Sequence, residues 1–157
     1  MTLRSRHRAH RAPCAVPARV RRVAALGAAA IACTSVLASC GGEAHDLFLV
    51  QRSGTIPGAR LALRVTDDGR ASCNRGPLVD ITSAQLIDAR EVARDLEPLA
   101  LRRMSLGPQA GSVLRYRVVL PDGSVRFADS SRGQPFAFFR IAKLTRDVAR
   151  SACKLAR

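Results

Sequence analysis

Two stretches of this chain alternate apolar and polar residues up to an Asp-Gly turn and resume beyond it. In the first, Leu61, Leu63 and Val65 share one side of an extended segment, and Arg60, Ala62, Arg64 and Thr66 share the other. Asp67-Asp68-Gly69 follows, then a short strand from Arg70 to Cys73. The second stretch turns at Pro121-Asp122-Gly123. Before that turn, Leu114, Tyr116, Val118 and Leu120 face one way, and Val113, Arg115, Arg117 and Val119 the other. On the return, from Ser124 to Asp129, Val125 and Phe127 point inward. A period of two marks a half-buried strand, and glycine supplies the positive φ that tight turns demand. Each stretch is therefore an antiparallel hairpin with one apolar face that something must cover.

A helical pattern follows each hairpin. After the Asn74-Arg75-Gly76-Pro77 break, Thr82 and Gln85 stand at capping-box spacing. Leu86, Ala89, Ala93 and Leu96 then recur at helical intervals, and Pro98 is expected to stop the helix. Its other face, with Asp88, Arg90, Glu91, Arg94 and Asp95, reads as a solvated, partly self-paired surface. Pro135 suits the first turn of a second helix, lined by Phe138, Ile141, Val148 and Ala152. Phe136, Phe138 and Phe139 fall together in that first turn and are expected in the core. Asp46 to Arg52 adds a strand, and Ser53 to Gly58 a loop. The expected class is α+β: an antiparallel sheet of four to five strands, in ββ-α-ββ-α order, with two helices packed on one face.

The N-terminal part is of another kind. Residues 1–22 are basic, and Val23 to Ala38 is an unbroken run of apolar and small residues. The run is short for a membrane-spanning helix, which needs about 20 residues; it fits the apolar region of a secretory signal. It ends Leu37-Ala38-Ser39-Cys40, followed by Gly41-Gly42. An aliphatic residue, two small ones and a cysteine, placed after a basic region and an apolar run, resemble the bacterial lipobox. That resemblance implies cleavage before Cys40 and diacylglycerol on its sulfur. Acyl chains in such number satisfy the two-signal condition for stable anchoring. The expected organisation is a cleaved lipoprotein signal peptide over residues 1–39, a lipidated tether over 40–45 and one α+β domain over 46–157. The expected location is the extracytoplasmic face of the cell membrane.

Cysteine and charge counts follow from that division. Cys14 and Cys33 leave with the signal and Cys40 is acylated, so Cys73 and Cys153 remain. An isolated pair in an exported protein reads as a disulfide. The formal charge is +14, and the leader's arginines, unopposed by any acid, supply half of it. The remaining excess would attract anionic headgroups or wall polymers. Nucleic acid is not expected, because the chain has no Trp, one Tyr and no basic run or zinc motif beyond Cys40.

No catalytic constellation is present in the sequence. His45, on the tether, is the one histidine beyond Cys40, so no nucleophile–histidine pair can be assembled in the expected domain. No phosphate-binding glycine loop precedes a helix. Asp129-Ser130-Ser131-Arg132-Gly133 reads as turn chemistry rather than an anion loop, and Asp67-Asp68-Gly69 lacks the further ligands of a calcium loop. No enzyme, metal or cofactor is expected.

The stretches RSGTIPGARLALRV, DGRASCNRG, LIDAREVARDL and FADSSRGQPFAFF resemble small lipoproteins of high-GC Gram-positive bacteria. That resemblance covers most of residues 46–153 and implies no activity. The pattern R-S-G-x-x-P-G-x-x-L from Arg52 to Leu61, followed by strand, helix and paired strands, is similar to emfourin-type inhibitors of thermolysin-like metalloproteases. This second likeness is one of layout, and it carries over no site residue by residue. The expected function is a non-enzymatic binding module at the cell envelope. Arg60, Arg64, Arg115 and Arg117 are its expected binding residues, and an anionic envelope component or a protein its partner. Inhibition of a metalloprotease through the Ser53–Gly58 loop is the alternative.

Overall fold

The computed structural model describes residues 44–155; the expected signal sequence and Cys40 lie outside them. The elements are β1 (Asp46–Gly54), β2 (Leu61–Thr66), β3 (Arg70–Cys73), β4 (Val79–Asp80), α1 (Ser83–Leu101), β5 (Leu114–Leu120), β6 (Gly123–Ala128) and α2 (Phe136–Ser151). The strands form one antiparallel sheet in the order β4-β3-β2-β1-β5-β6. The two Asp-Gly hairpins, β2-β3 and β5-β6, thus flank β1, which joins them.

The class is α+β as expected, with six strands rather than four to five. The additional strand is β4, a two-residue return paired to Arg70 and Ala71. Asn74 and Arg75 take positive φ and reverse the chain after β3. The Asn74 side chain accepts from the Ala62 amide, and the Asn74 amide donates back to the Ala62 carbonyl. These bonds hold the reversal against β2.

One face of the sheet is buried. Val50, Leu63, Val65, Val118, Val125 and Phe127 point from it into a core completed by Val92 and Leu96 of α1 and Phe138, Ile141 and Val148 of α2. The helices cross this face in opposite directions. α1 starts beside the β2-β3 turn, where Leu86 abuts Gly69, and ends against the β5-β6 turn, where Ala100 abuts Gly123. α2 starts with Phe138 stacked on Phe127 of β6, ring centroids 4.4 Å apart. Just beyond its far end, Cys153 stands at disulfide distance from Cys73 of β3, with the Cα atoms 6.1 Å apart. The Gln85 amide donates to the Ser151 hydroxyl at 2.8 Å, closing the start of α1 on the end of α2.

The capping box forms as the spacing requires. The Thr82 hydroxyl accepts from the Gln85 amide, and the Gln85 side chain accepts from the Thr82 amide. Three expectations are corrected. Pro98 does not stop α1, which continues to Leu101. Pro98 costs the turn one backbone bond, and the burial of Leu96 and Ala100 on either side of it holds that turn in place. Phe138 is fully buried, but Phe136 is 75% and Phe139 54% exposed. At about 100° per residue, a helix facing the sheet through Phe138 must turn Phe136 and Phe139 outward. The acids of α1 pair across helices rather than along their own: Arg140 of α2 donates to Asp88, Glu91 and Asp95 at 2.6, 2.8 and 2.9 Å. Those bonds raise the Arg140 pKa, the one from Asp88 contributing most.

Candidate functional site

The second face of the sheet carries the arginines that alternation assigns to it. Leu63 and Tyr116 are buried while Arg115 and Arg117 are exposed, as the period of two requires. Strand pairing sets them in rows. Ala62, Gln51, Arg117 and Arg126 lie side by side across β2, β1, β5 and β6. In an adjacent row stand Ser72, Arg64, Leu49, Val119 and Ser124. Ser53 pairs with Arg115 one row further along β1. There Arg60 and Arg115 line a shallow cavity of about 240 Å³ with Ser53 and Val113.

The four expected arginines separate into two groups. Arg64 is committed to Asp46, with Nε 2.6 Å from the carboxylate. Arg60, Arg115 and Arg117 are exposed, and among the described residues none of them has an acid partner. Arg126 belongs with them: exposed, unpaired among the described residues, and directly opposite Arg117. Like charges directly opposite across strands destabilise a sheet, so nothing in folding favours this pair. Arg126 was visible in the alternation around Val125 and Phe127; its position opposite Arg117 was not, because register is a tertiary property.

The turn between β2 and β3 is balanced instead. Arg70 pairs with Asp68, and the bonds from Arg70 and then Thr66 hold the Asp68 carboxyl below its ordinary value. Asp67 accepts from Arg90 of α1 at 2.8 Å. The sheet is therefore polarised, cationic over the open face of β5 and β6 and near neutral at the β2-β3 turn.

The Asp129–Gly133 loop serves the backbone. Asp129 accepts from the Ser112 hydroxyl and from the Val113 and Leu114 amides. The Ser131 hydroxyl donates to the Gly107 carbonyl and accepts from the Ala128 amide. Ser53 and Gly54, expected in the loop, belong to β1, and the rest of the Ser53–Gly58 stretch lies at the end of that strand remote from Asp46, eight steps or about 27 Å along it. Arg52, 7% exposed, braces it: Nε donates to the Ala59 carbonyl at 2.9 Å and Nη2 to the Gly58 carbonyl at 3.0 Å.

Among the described residues, no group of three His, Cys, Asp or Glu side chains could hold a metal ion. None of their helices is long and apolar enough to cross a membrane. The chain matches no protein-family model, no curated protein and no solved structure.

Proposed function

We propose that this chain is a membrane-anchored lipoprotein, held through Cys40 at the extracytoplasmic face, whose domain is a non-enzymatic module binding an anionic component of the envelope. The observation that carries the reading is the unpaired cluster of Arg115, Arg117 and Arg126 on the open face. Two guanidinia set opposite one another without a carboxylate oppose folding and favour an external anion, which guanidinium forks bind in bidentate fashion. Arg60 extends the cluster toward the end of the sheet.

The test has two parts. Cys40→Ser should abolish incorporation of labelled fatty acid and release the protein from the membrane fraction. Arg115→Glu with Arg117→Glu should reduce sedimentation of the delipidated protein with phosphatidylglycerol vesicles and with isolated anionic wall polymer. Unchanged sedimentation with both rejects the open face as the binding surface. Arg117→Glu sets an opposite charge across from Arg126, which favours the fold, and an unchanged far-ultraviolet spectrum separates loss of binding from loss of fold.

One observation favours a second reading. The Ser53–Gly58 loop is exposed, Ile56 included, while Arg52 fixes its last carbonyls from beneath. A rigid exposed loop is what an emfourin-like inhibitor of a thermolysin-type protease would present. Absence of inhibition at micromolar protein removes this reading.

A further inference from the structure

A second cationic site lies on the helix side of the sheet. Arg52 of β1, together with Arg146 and Arg150 of α2, lines a cavity of about 380 Å³. The same cavity is walled by Ile56, Pro57 and Leu114 and has no acidic residue in its lining. It is separate from the open face, because Arg52 points to the buried side of β1 while Gln51 and Ser53 point to the other.

Local structure accounts for Arg150 and for the seat of Arg52, but not for Arg146. A single basic residue in the last turn offsets the helix dipole, and Arg150 does so. Arg146, one turn earlier on the same face, adds a like-charge pair at four-residue spacing, which destabilises a helix. No acid relieves it among the described residues. Asp147 is taken by Lys143 at 2.6 Å, and Asp129 by the Ser112 hydroxyl and two backbone amides. Arg52 is held in a fixed plane by the Gly58 and Ala59 carbonyls. The Tyr116 hydroxyl reports the convergence: burial raises its pKa, and the charges of Arg52 and Arg146 act against that rise.

We infer that this cavity binds a small organic anion, its carboxylate or phosphate group held by the Arg146 and Arg150 guanidinia and its apolar part resting on Ile56, Pro57 and Leu114. The volume lies at the lower end of small-molecule sites, which run from about 300 to 1,000 Å³. The planar forks match an oxyanion, and the apolar wall selects against an inorganic ion. The loop that forms this wall is the one Arg52 braces.

The experiment is a titration of the intact purified protein with benzoate, phenyl phosphate, inorganic phosphate and benzyl alcohol, read by calorimetry. Benzoate or phenyl phosphate should bind saturably with a Kd below about 1 mM, and whichever is tighter identifies the head group. Inorganic phosphate should bind at least about tenfold more weakly, and benzyl alcohol should not bind. Arg146→Gln with Arg150→Gln should weaken the aromatic anion at least about tenfold, whereas Arg115→Glu with Arg117→Glu should leave it unchanged. Both replaced α2 residues are exposed; if the pair nevertheless fails to fold, Arg150→Gln alone and Ile56→Ala must each weaken binding. The inference is overturned if neither aromatic anion saturates by about 10 mM. It is overturned equally if the α2 variant binds as well as the parent, if inorganic phosphate binds as tightly, or if the open-face variant loses the affinity.

Discussion

Replacing Cys73 and Cys153 with alanine should lower the melting temperature by about 15–20 °C. The bridge spans a sequence separation of 80 residues and joins the chain just beyond α2 to β3. In the chain-entropy account, a loop of that length removes about 15 cal/mol/K from the unfolded chain, or about 4.5 kcal/mol at 25 °C. At about 2.1 cal/mol/K per residue, the described residues 44–155 unfold with an entropy of about 0.24 kcal/mol/K. The quotient is about 19 °C. Domains of this size are stable by about 5–15 kcal/mol, so the variant should remain folded at low temperature while losing at least about a third of its margin. Circular dichroism melts of the parent, the parent under reductant and the double variant form the assay. The reduced parent and the variant should melt together, and reductant should leave the variant unmoved. A drop smaller than about 5 °C in both, with unchanged far-ultraviolet spectra, would refute the reasoning by showing that the unfolded chain is confined without the bridge.

Other perturbations test the packing and the charges. Gly123→Ala places a Cβ against the Ala100 carbonyl at the end of α1, whereas nothing lies near a Cβ at Gly107. The first change should cost about 1–3 kcal/mol in denaturant titration and the second under about 0.5 kcal/mol. Arg140→Ala removes the bond from α2 to three half-exposed carboxylates, and solvent screening holds the expected loss to about 1–2 kcal/mol; Arg140→Lys should recover only part of it. Asp68 has a folded-state pKa below its ordinary value of 3.8, chiefly through Arg70. A depressed carboxyl pKa contributes stability above the unfolded value and loses it as pH falls through the folded one. Asp68→Asn should therefore be less stable than the parent at about pH 7, and the difference should shrink as the pH falls below 3.8, as followed by melts across that range.

Much of the fold was legible because it rests on local rules. The alternation around Leu63 and Tyr116 gives the strands and their faces, and the Thr82-Gln85 spacing gives the start of α1. Local rules misread the chain where tertiary packing outweighs them. Pro98 lies within α1 because its buried neighbours keep the last turn. Phe136 and Phe139 are exposed because helix period, not proximity to Phe138, decides which side meets the sheet. The two Asp-Gly turns look alike in sequence yet need glycine for different reasons. Gly69 takes φ +86°, whereas Gly123 is required by the close approach of the Ala100 carbonyl.

The candidate sites divide in the same way. Arg115 and Arg117 could be assigned to the open face from alternation alone, and Arg126 could have been. That Arg64 is neutralised by Asp46, that Arg126 stands opposite Arg117, and that Arg52 meets Arg146 and Arg150 follow only from register and helix placement. The sequence by itself determined the periodicity of the strands and the cap of α1. Tertiary structure alone decided which charges meet an opposite charge and which meet another arginine. The reason is physical: a residue's face is set within a few neighbours along the chain, whereas its partner is set by which distant strand or helix packs beside it.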